Sequence, residues 1–378
     1  MPVAPKVPRR QFHQSLFETM SNCGMMAYHR YILGIKRPGN AFLVTGGSVD
    51  DSVNMNLNTK IMSGELVKDS VIREFAATRF EERWGEDEIA LDEEEKAEGR
   101  TLKDVQGEAK DKTVELSSLH GRECAPTIFP KATQFPFTIN LDGWLRIRGR
   151  ELHEQADRAE SASGRAKGER YPFEVHRLRD QAMACNRMAI DGADLVGTID
   201  IIDAPLGPRL PLSEMSGTAL NDGATEEART LDVVRDTKTS SKSPAKSIRD
   251  QIKLGIAPAT AILKPGDADD SDQLTAYALG RYIENGKLPD MMVLDYLVQT
   301  RGKTPKRYYT PSYTRRTAED IKVLQNRIIS TVHAFYSGVF TPTSPTDWRC
   351  SRRWCGYFDI CPHSKKPTLI SITQDLPQ

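Results

Sequence analysis

Two apolar runs in the second half of the chain, Leu195–Asp203 and Leu231–Thr239, carry charged side chains inside otherwise hydrophobic stretches. Short continuous apolar runs of this kind read as strands covered on both faces, and they confine the chain to a sheet flanked by helices. The first run contains Gly197-Thr198-Ile199-Asp200 and the second Asp236-Thr237-Lys238. Side chains two apart on a strand share a face, so Asp236 and Lys238 project together. Asp200 shares a face with Thr198 and Ile202, and Asp203 lies on the other. If the two strands pair, Asp200, Asp236 and Lys238 converge. Downstream, Gln273-Leu274-Thr275-Ala276-Tyr277 opens a helical segment in which Gln273 and Tyr277, four apart, share a face.

The rest of the chain frames these runs. Residues 14–33 read as helical, and Phe42–Gly47 is a short apolar run ending in two glycines, with a second helical stretch from Ser48 through Glu82. Residues 86–120 are charged and poor in large apolar side chains, which suggests a solvated helix or mobile insertion. Residues 125–148 read as β structure with an Asp142-Gly143 hairpin signal, and 150–170 as a surface loop or short exposed helix. A long connection over 206–229 separates the two charged strands. Helices follow over 244–255 and 271–285, the latter ending at Gly286. Met291–Thr300 is a third strand and 306–314 a fourth, its possible hairpin partner. Thr317-Ala318-Glu319-Asp320 has capping-box spacing ahead of Ile321, Leu324, Ile328, Val332 and Phe335 at helical period. The expected class is α/β, a central mixed sheet flanked by helices. Four regions follow: 1–83, helical, with Cys23; 84–190, an insertion with β structure; 191–340, the core; and 341–378, a cysteine-rich tail.

Length and charge bound the function only loosely. A chain of 378 residues suggests about two to three domains, or one elaborated α/β domain. Lys+Arg and Asp+Glu are both 52, so the total charge points to no partner. Its distribution is more informative, since residues 81–98 hold ten acids and two bases while 301–316 hold six bases and no acid. The N-terminus lacks the apolar core of a signal peptide, and no stretch approaches the roughly 20 apolar residues of a membrane span. A soluble, cytoplasmic protein is expected, in which cysteines are reduced, metal-bound or catalytic.

Two carboxylates and a lysine on neighbouring strands suit a hard divalent metal and a phosphodiester. Magnesium takes one or two protein carboxylates and fills its other positions with water and phosphate. It lowers the pKa of a water and offsets charge growing on the phosphate, while a nearby ammonium stabilises the transition state. Asp200 and Asp236 are the candidate ligands, the carbonyl of Thr237 a third, and Lys238 the catalytic cation. Gln273 and Tyr277 can bind a phosphate or a base.

Three cysteines, Cys350, Cys355 and Cys361, fall within twelve residues of the tail. Such clustering suggests thiolate ligation. A fourth ligand is needed, and Cys23 is the candidate. Four thiolates hold zinc or a [4Fe–4S] cluster, and spacing does not separate them. Cys124 and Cys185 have no partner pattern.

The G-x-x-D strand, D-x-K strand and Q-x-x-x-Y helix, in this order, resemble the PD-(D/E)xK superfamily and specifically its RecB-like exonuclease branch, which includes CRISPR-associated nucleases, the AddB nuclease and many phage exonucleases. With the cysteines the resemblance spans roughly residues 14–364. It implies a restriction-endonuclease-like core and a Mg²⁺- or Mn²⁺-dependent exonuclease acting on single-stranded DNA or duplex ends, with 5′-phosphate products. It also implies a structural [4Fe–4S] cluster on Cys23, Cys350, Cys355 and Cys361 that staples the chain ends, and it allows a replication, recombination or CRISPR-adaptation partner. The family's histidine ligand follows a glycine-led turn. Here Gly46-Gly47-Ser48-Val49-Asp50-Asp51 has no histidine, so Asp50 or Asp51 takes its place, either as a metal ligand or as an N-cap. Four residues separate Cys350 from Cys355 where the family commonly has two, which leaves zinc, or three cysteines with His363, as alternatives. A DNA-binding or assembly module without catalysis, or a zinc-stapled enzyme of other chemistry, are the competing readings.

Two basic segments are candidate DNA contacts. Lys242, Lys246, Arg249 and Lys253 follow the D-x-K strand and suit phosphate contacts. Arg301, Lys303, Lys306, Arg307, Arg315 and Arg316 interleave with Tyr308, Tyr309 and Tyr313, a mixture that suits single strands or a solvated hairpin.

Overall fold

The computed structural model describes residues 10–86, 88–91, 93–163, 171–204, 230–253, 265–302, 304–352 and 354–364. The connection expected over 206–229, Lys303, residues 164–170, and the side chains of Arg249 and Lys253 lie outside the described residues. The chain opens with β1 (Arg10–His13), α1 (Gln14–Asn22) and α2 (Gly24–Ala27), then two long helices, α3 (Ala41–Ser63) and α4 (Asp69–Glu86). The short α5 (Glu93–Ala97) and the longer α6 (Leu102–Leu119) precede β2 (Pro130–Asn140), α7 (Asp142–Ser163) and α8 (Tyr171–Asp191). The second half runs β3 (Ala193–Asp203), β4 (Val233–Ser240), α9 (Ile248–Lys253), α10 (Asp272–Asn285), β5 (Met291–Gln299), β6 (Arg307–Thr314) and α11 (Ala318–Tyr336).

Six strands form one mixed sheet, in the order β1-β3-β4-β5-β6 with β2 on β3. β1 runs parallel to β3 and β4 parallel to β5, while β2–β3, β3–β4 and β5–β6 are antiparallel. β5 is buried from Met291 to Val298, the signature of a central strand covered on both faces. One face carries the larger core, where Leu195, Ile199, Ile202, Val234 and Leu294 meet Leu274 and Leu279 of α10, Leu324 and Ile328 of α11 and side chains from α7 and α8. The other face carries Ile201 and Leu297 under Val49, Val53 and Leu57 of α3 and Leu116 and Leu119 of α6. Among the described residues no helix is long and apolar enough to cross a membrane.

Several local expectations are corrected. Residues 86–120 are helical in their second part but not solvated there: residues 94–104 are mostly exposed, whereas α6, opened by a Thr101–Asp104 capping box, buries Val105, Ala109, Thr113 and Leu116 at helical spacing. Asp142-Gly143 makes no hairpin, because Asp142 starts α7, its backbone N–H held by Asn140 Oδ1 at 2.9 Å and its Oδ1 accepting from Ala193 N at 3.1 Å. Residues 150–163 take the helical alternative and not the loop, as part of the 22-residue α7 rather than a short helix of their own. The helix read over 14–33 breaks at Cys23, whose backbone is extended (φ −167°, ψ 117°) between α1 and α2. Gly46 and Gly47 lie inside α3, a helix capped by Asn40 and not a turn.

The second face buries a charge cluster. Arg235 donates from Nε to Asp203 Oδ2 at 2.7 Å and from Nη1 to both oxygens of Asp295 at 3.1 Å, bridging three strands. The Phe129 backbone N–H and the Tyr309 hydroxyl, each at 2.7 Å, satisfy the other oxygen of Asp203 and Oδ1 of Asp295. His120 lies nearby, 1% exposed, and burial pushes its pKa down to about 4. A buried neutral histidine binds its proton more readily in the unfolded chain, so stability is full above the ordinary value of 6.5 and falls as pH drops towards 4. The difference corresponds to about 3 kcal/mol. Urea unfolding of wild type and His120→Asn between pH 7 and 4 should show the wild type losing that much more; parallel profiles would rule the effect out.

Candidate functional site

Asp200 sits where the sheet parts. β3 pairs with β1 only over Ala193–Val196 and with β4 only over Ile201–Asp203, so residues 197–200 lie between the two ladders. On its other edge the β2 ladder passes from Thr133↔Ile201 to Phe135↔Ile199 without pairing Gln134 to Asp200. Gln134 has φ 49°, the left-handed region that non-glycine residues seldom enter. Ile199 and Ile202 enter the same core while Ile201 enters the opposite one, so the pleat slips by one residue here. Gly197 is required upstream, because a Cβ there would meet the Phe137 ring at 2.5 Å. That ring stands edge-on to Tyr277, centroids 6.3 Å apart.

α10 supplies the facing wall. Its start is capped by Ser271, and Gly286 in the left-handed region ends it. Gln273 Nε2 donates to Asp236 Oδ1 at 3.1 Å and to the Tyr277 hydroxyl at 2.6 Å, and its Oε1 accepts from Lys238 Nζ at 2.7 Å. The Tyr277 hydroxyl donates to Asp200 Oδ1 at 3.4 Å. Lys238 Nζ also lies 2.7 Å from Asp236 Oδ2, as an ion pair without hydrogen-bond alignment. The five motif side chains are thus one connected network. Thr237 lies between the two on β4, in register with Asp295, and its hydroxyl is buried without a partner among the described residues.

Asp50 completes the cluster from α3, and Asp51 does not. Asp51 turns to α4, accepting from Arg79 Nε at 3.0 Å and from Arg83 Nε and Nη2 at 2.8 and 3.1 Å. Those arginines outweigh burial and hold its carboxyl below the usual range. Burial, then the charge of Asp236, pushes Asp50 up to about 6. The capping alternative for either residue is excluded by their position inside α3. Burial, then Asp236, pushes Asp200 well up. Burial works against the Lys238 ammonium, but Asp236, Asp200 and Asp50 outweigh it and raise its pKa.

Three carboxylates face one ammonium, so the cluster is short of positive charge, and this donor set suits a hard divalent cation. Among the described residues no group of three or more His, Cys, Asp or Glu side chains stands ready to hold a metal ion.

The two chain ends meet at a second place. Cys23, Cys350, Cys355 and Cys361 line one cavity together with His29 and His363. The Gly24 N–H donates to Thr341 O at 2.8 Å, the Thr343 N–H approaches Cys23 Sγ at 3.4 Å, and the Tyr357 hydroxyl donates to Ile35 O at 3.0 Å. All six cysteines are free. Burial raises the Cys355 thiol. Cys124 and Cys185 are buried elsewhere, on opposite faces of the sheet.

Of the basic segments, Lys242 and Lys246 are exposed just past β4. The hairpin is more committed to structure. Arg316 is buried and donates to Thr275 Oγ1, Ala268 O and Ser271 O, and Tyr309 is tied to Asp295. Arg301 and Arg307 pair with Glu94 and Glu115, each at 3.7 Å. Arg79, Arg83 and Phe137 were not legible as site residues; the one available signal was the four-residue spacing of the arginines, which places them on one helix face. Comparison with family models gives no match, and comparison with curated proteins gives none either.

Proposed function

We propose that the protein is a metal-dependent deoxyribonuclease of the RecB-like PD-(D/E)xK type, an exonuclease hydrolysing phosphodiester bonds of single-stranded DNA or duplex ends. The observation that carries this reading is the joining of Asp200, Asp236, Lys238, Gln273 and Tyr277 into one hydrogen-bonded network with Asp50 beside it. Asp50, Asp200 and Asp236 would hold Mg²⁺ or Mn²⁺. That ion, when bound, supplies charge neutralisation at the phosphate and a more acidic water.

The chain's own groups do the rest. Lys238, steadied by Gln273 Oε1, places an ammonium where negative charge grows on the phosphate. Gln273 also fixes one oxygen of Asp236, and Tyr277 one of Asp200, so their remaining lone pairs stay directed at the opening. Lys242 and Lys246, exposed just past β4, suit phosphate contacts that carry no sequence reading. The test is end-labelled DNA, blocked at one end or the other, incubated with Mn²⁺ or with EDTA. Cleavage with Mn²⁺ alone supports the reading; none in either sinks it.

The four-cysteine cavity supports a structural [4Fe–4S] cluster between the chain ends, with zinc as the alternative occupant. Anaerobically purified protein should be brown with about four iron and four sulfide per chain, and Cys23→Ser should lose most of both. Zinc without sulfide would replace this reading.

A further inference from the structure

A second cavity, of about 440 Å³, opens on the far side of Asp50. Besides that carboxylate its wall includes Asp51, Asn54, Phe75, Arg79, Arg83 and Gln134. Its size falls within the range of small-molecule sites. Its chemistry is that of a nucleotide: two guanidiniums for a phosphate, one aromatic face for a base and two amides for polar edges.

The positive side is built in place. Asp51 pairs with both arginines and Glu82 with Arg79, which fixes the two guanidiniums in place beside the Asp50 carboxylate. Arg83 reaches Asp51 by lying across α3 at Gly47, where an added Cβ would stand 2.8 Å from Nη1. Asp51 takes Nε and Nη2, and leaves Nη1 outside the pair. Gln134, with its left-handed backbone, lies between the Thr133–Ile201 and Phe135–Ile199 pairs, at the break in the ladder where Asp200 also goes unpaired, and so links this cavity to the carboxylate cluster. Left-handed backbone outside glycine persists where surrounding structure enforces it, and it concentrates at functional sites.

We propose that this cavity holds the terminal nucleotide of the strand being cut, with its phosphate on Arg79 and Arg83 and its base against Phe75. The assignment rests on the nuclease reading and adds to it what the enzyme measures from. Asp50 then separates the scissile phosphodiester from the strand end by one nucleotide.

Titration calorimetry of the full chain tests the site without relying on cleavage. The probes are deoxythymidine 3′,5′-bisphosphate, which presents a phosphate on either side of the sugar, and inorganic phosphate. Wild type should bind the nucleotide, and Arg79→Gln should weaken it by about tenfold or more. Phe75→Ala should weaken the nucleotide but not inorganic phosphate. Gly47→Ala should weaken both by displacing Arg83 without removing it, and thermal melting of each variant separates misfolding from lost binding. No nucleotide binding by wild type, or equal binding by all four chains, overturns the proposal. Cleavage without nucleotide binding sinks the pocket and leaves the nuclease; binding without cleavage sinks the nuclease and leaves the pocket.

Discussion

Lys238→Ala and Asp236→Ala should each lower Mn²⁺-dependent DNA hydrolysis by about 10²–10³-fold, the scale of removing one charge-stabilising group from a preorganised site. Asp200→Asn should do the same, and here stability moves the other way. Burial and Asp236 raise the folded pKa of Asp200 well above its ordinary value. A group whose pKa rises on folding contributes stability below its unfolded pKa and loses it as pH climbs through the folded value, so at neutral pH its ionisation opposes folding. The asparagine removes that opposition while keeping the shape. Metal-free Asp200→Asn should therefore melt higher than wild type while being nearly inactive. Loss of activity together with loss of fold would make Asp200 an ordinary structural residue, and full activity would remove it from the site.

The largest stability effect is expected at Arg235. It joins Asp203 of β3 and Asp295 of β5 across β4, and both carboxylates have no exposure. Arg235→Met leaves two buried carboxylates unpaired, which costs about 3–5 kcal/mol. Substituting Asp203→Asn and Asp295→Asn in the same chain should recover most of that loss, because a neutral buried set avoids the desolvation of three charges. Urea unfolding of the single and triple variants checks it. A single variant within 1 kcal/mol of wild type would contradict the assignment, as would a triple variant no better than the single. The cluster also sets register: Arg235 and Asp236 point to opposite faces, so the clamp beneath the sheet fixes the strand that carries the site above it.

Sequence patterns exposed the parts of this fold that depend on near neighbours. β3, β4, β5 and β6 were visible as apolar runs, and α10 and α11 by their caps and period, within a residue or two of their observed ends. What failed depends on distant partners. Residues 86–120 looked solvated because acidic side chains dominate the count, yet Val105, Ala109, Thr113 and Leu116 at helical spacing suffice to seat α6 on α3 and α4. Asp142-Gly143 carries a hairpin signature that loses to contacts with Asn140 and Ala193. The same holds in the site. Gly46-Gly47 resembles a turn because glycine weakens helices by about 1 kcal/mol. Its reason is Arg83, thirty-six positions away, which crosses at Gly47 and, with Arg79, engages Asp51. Those contacts, rather than any local pattern, separate Asp51 from Asp50.

The meeting of the chain ends has a consequence for how the protein is made. Cys23 touches Thr343, 320 positions later, and β1 waits for β3 before it can pair. The carboxylate cluster draws on residues 50–277, whereas the cysteine cavity draws on residues as far as 361. Domains fold as they emerge, at about 5–20 residues per second. Closure around Cys361 therefore follows the synthesis of every residue of the carboxylate cluster, and a chain cut before Cys361 would carry the cluster but lack the clasp.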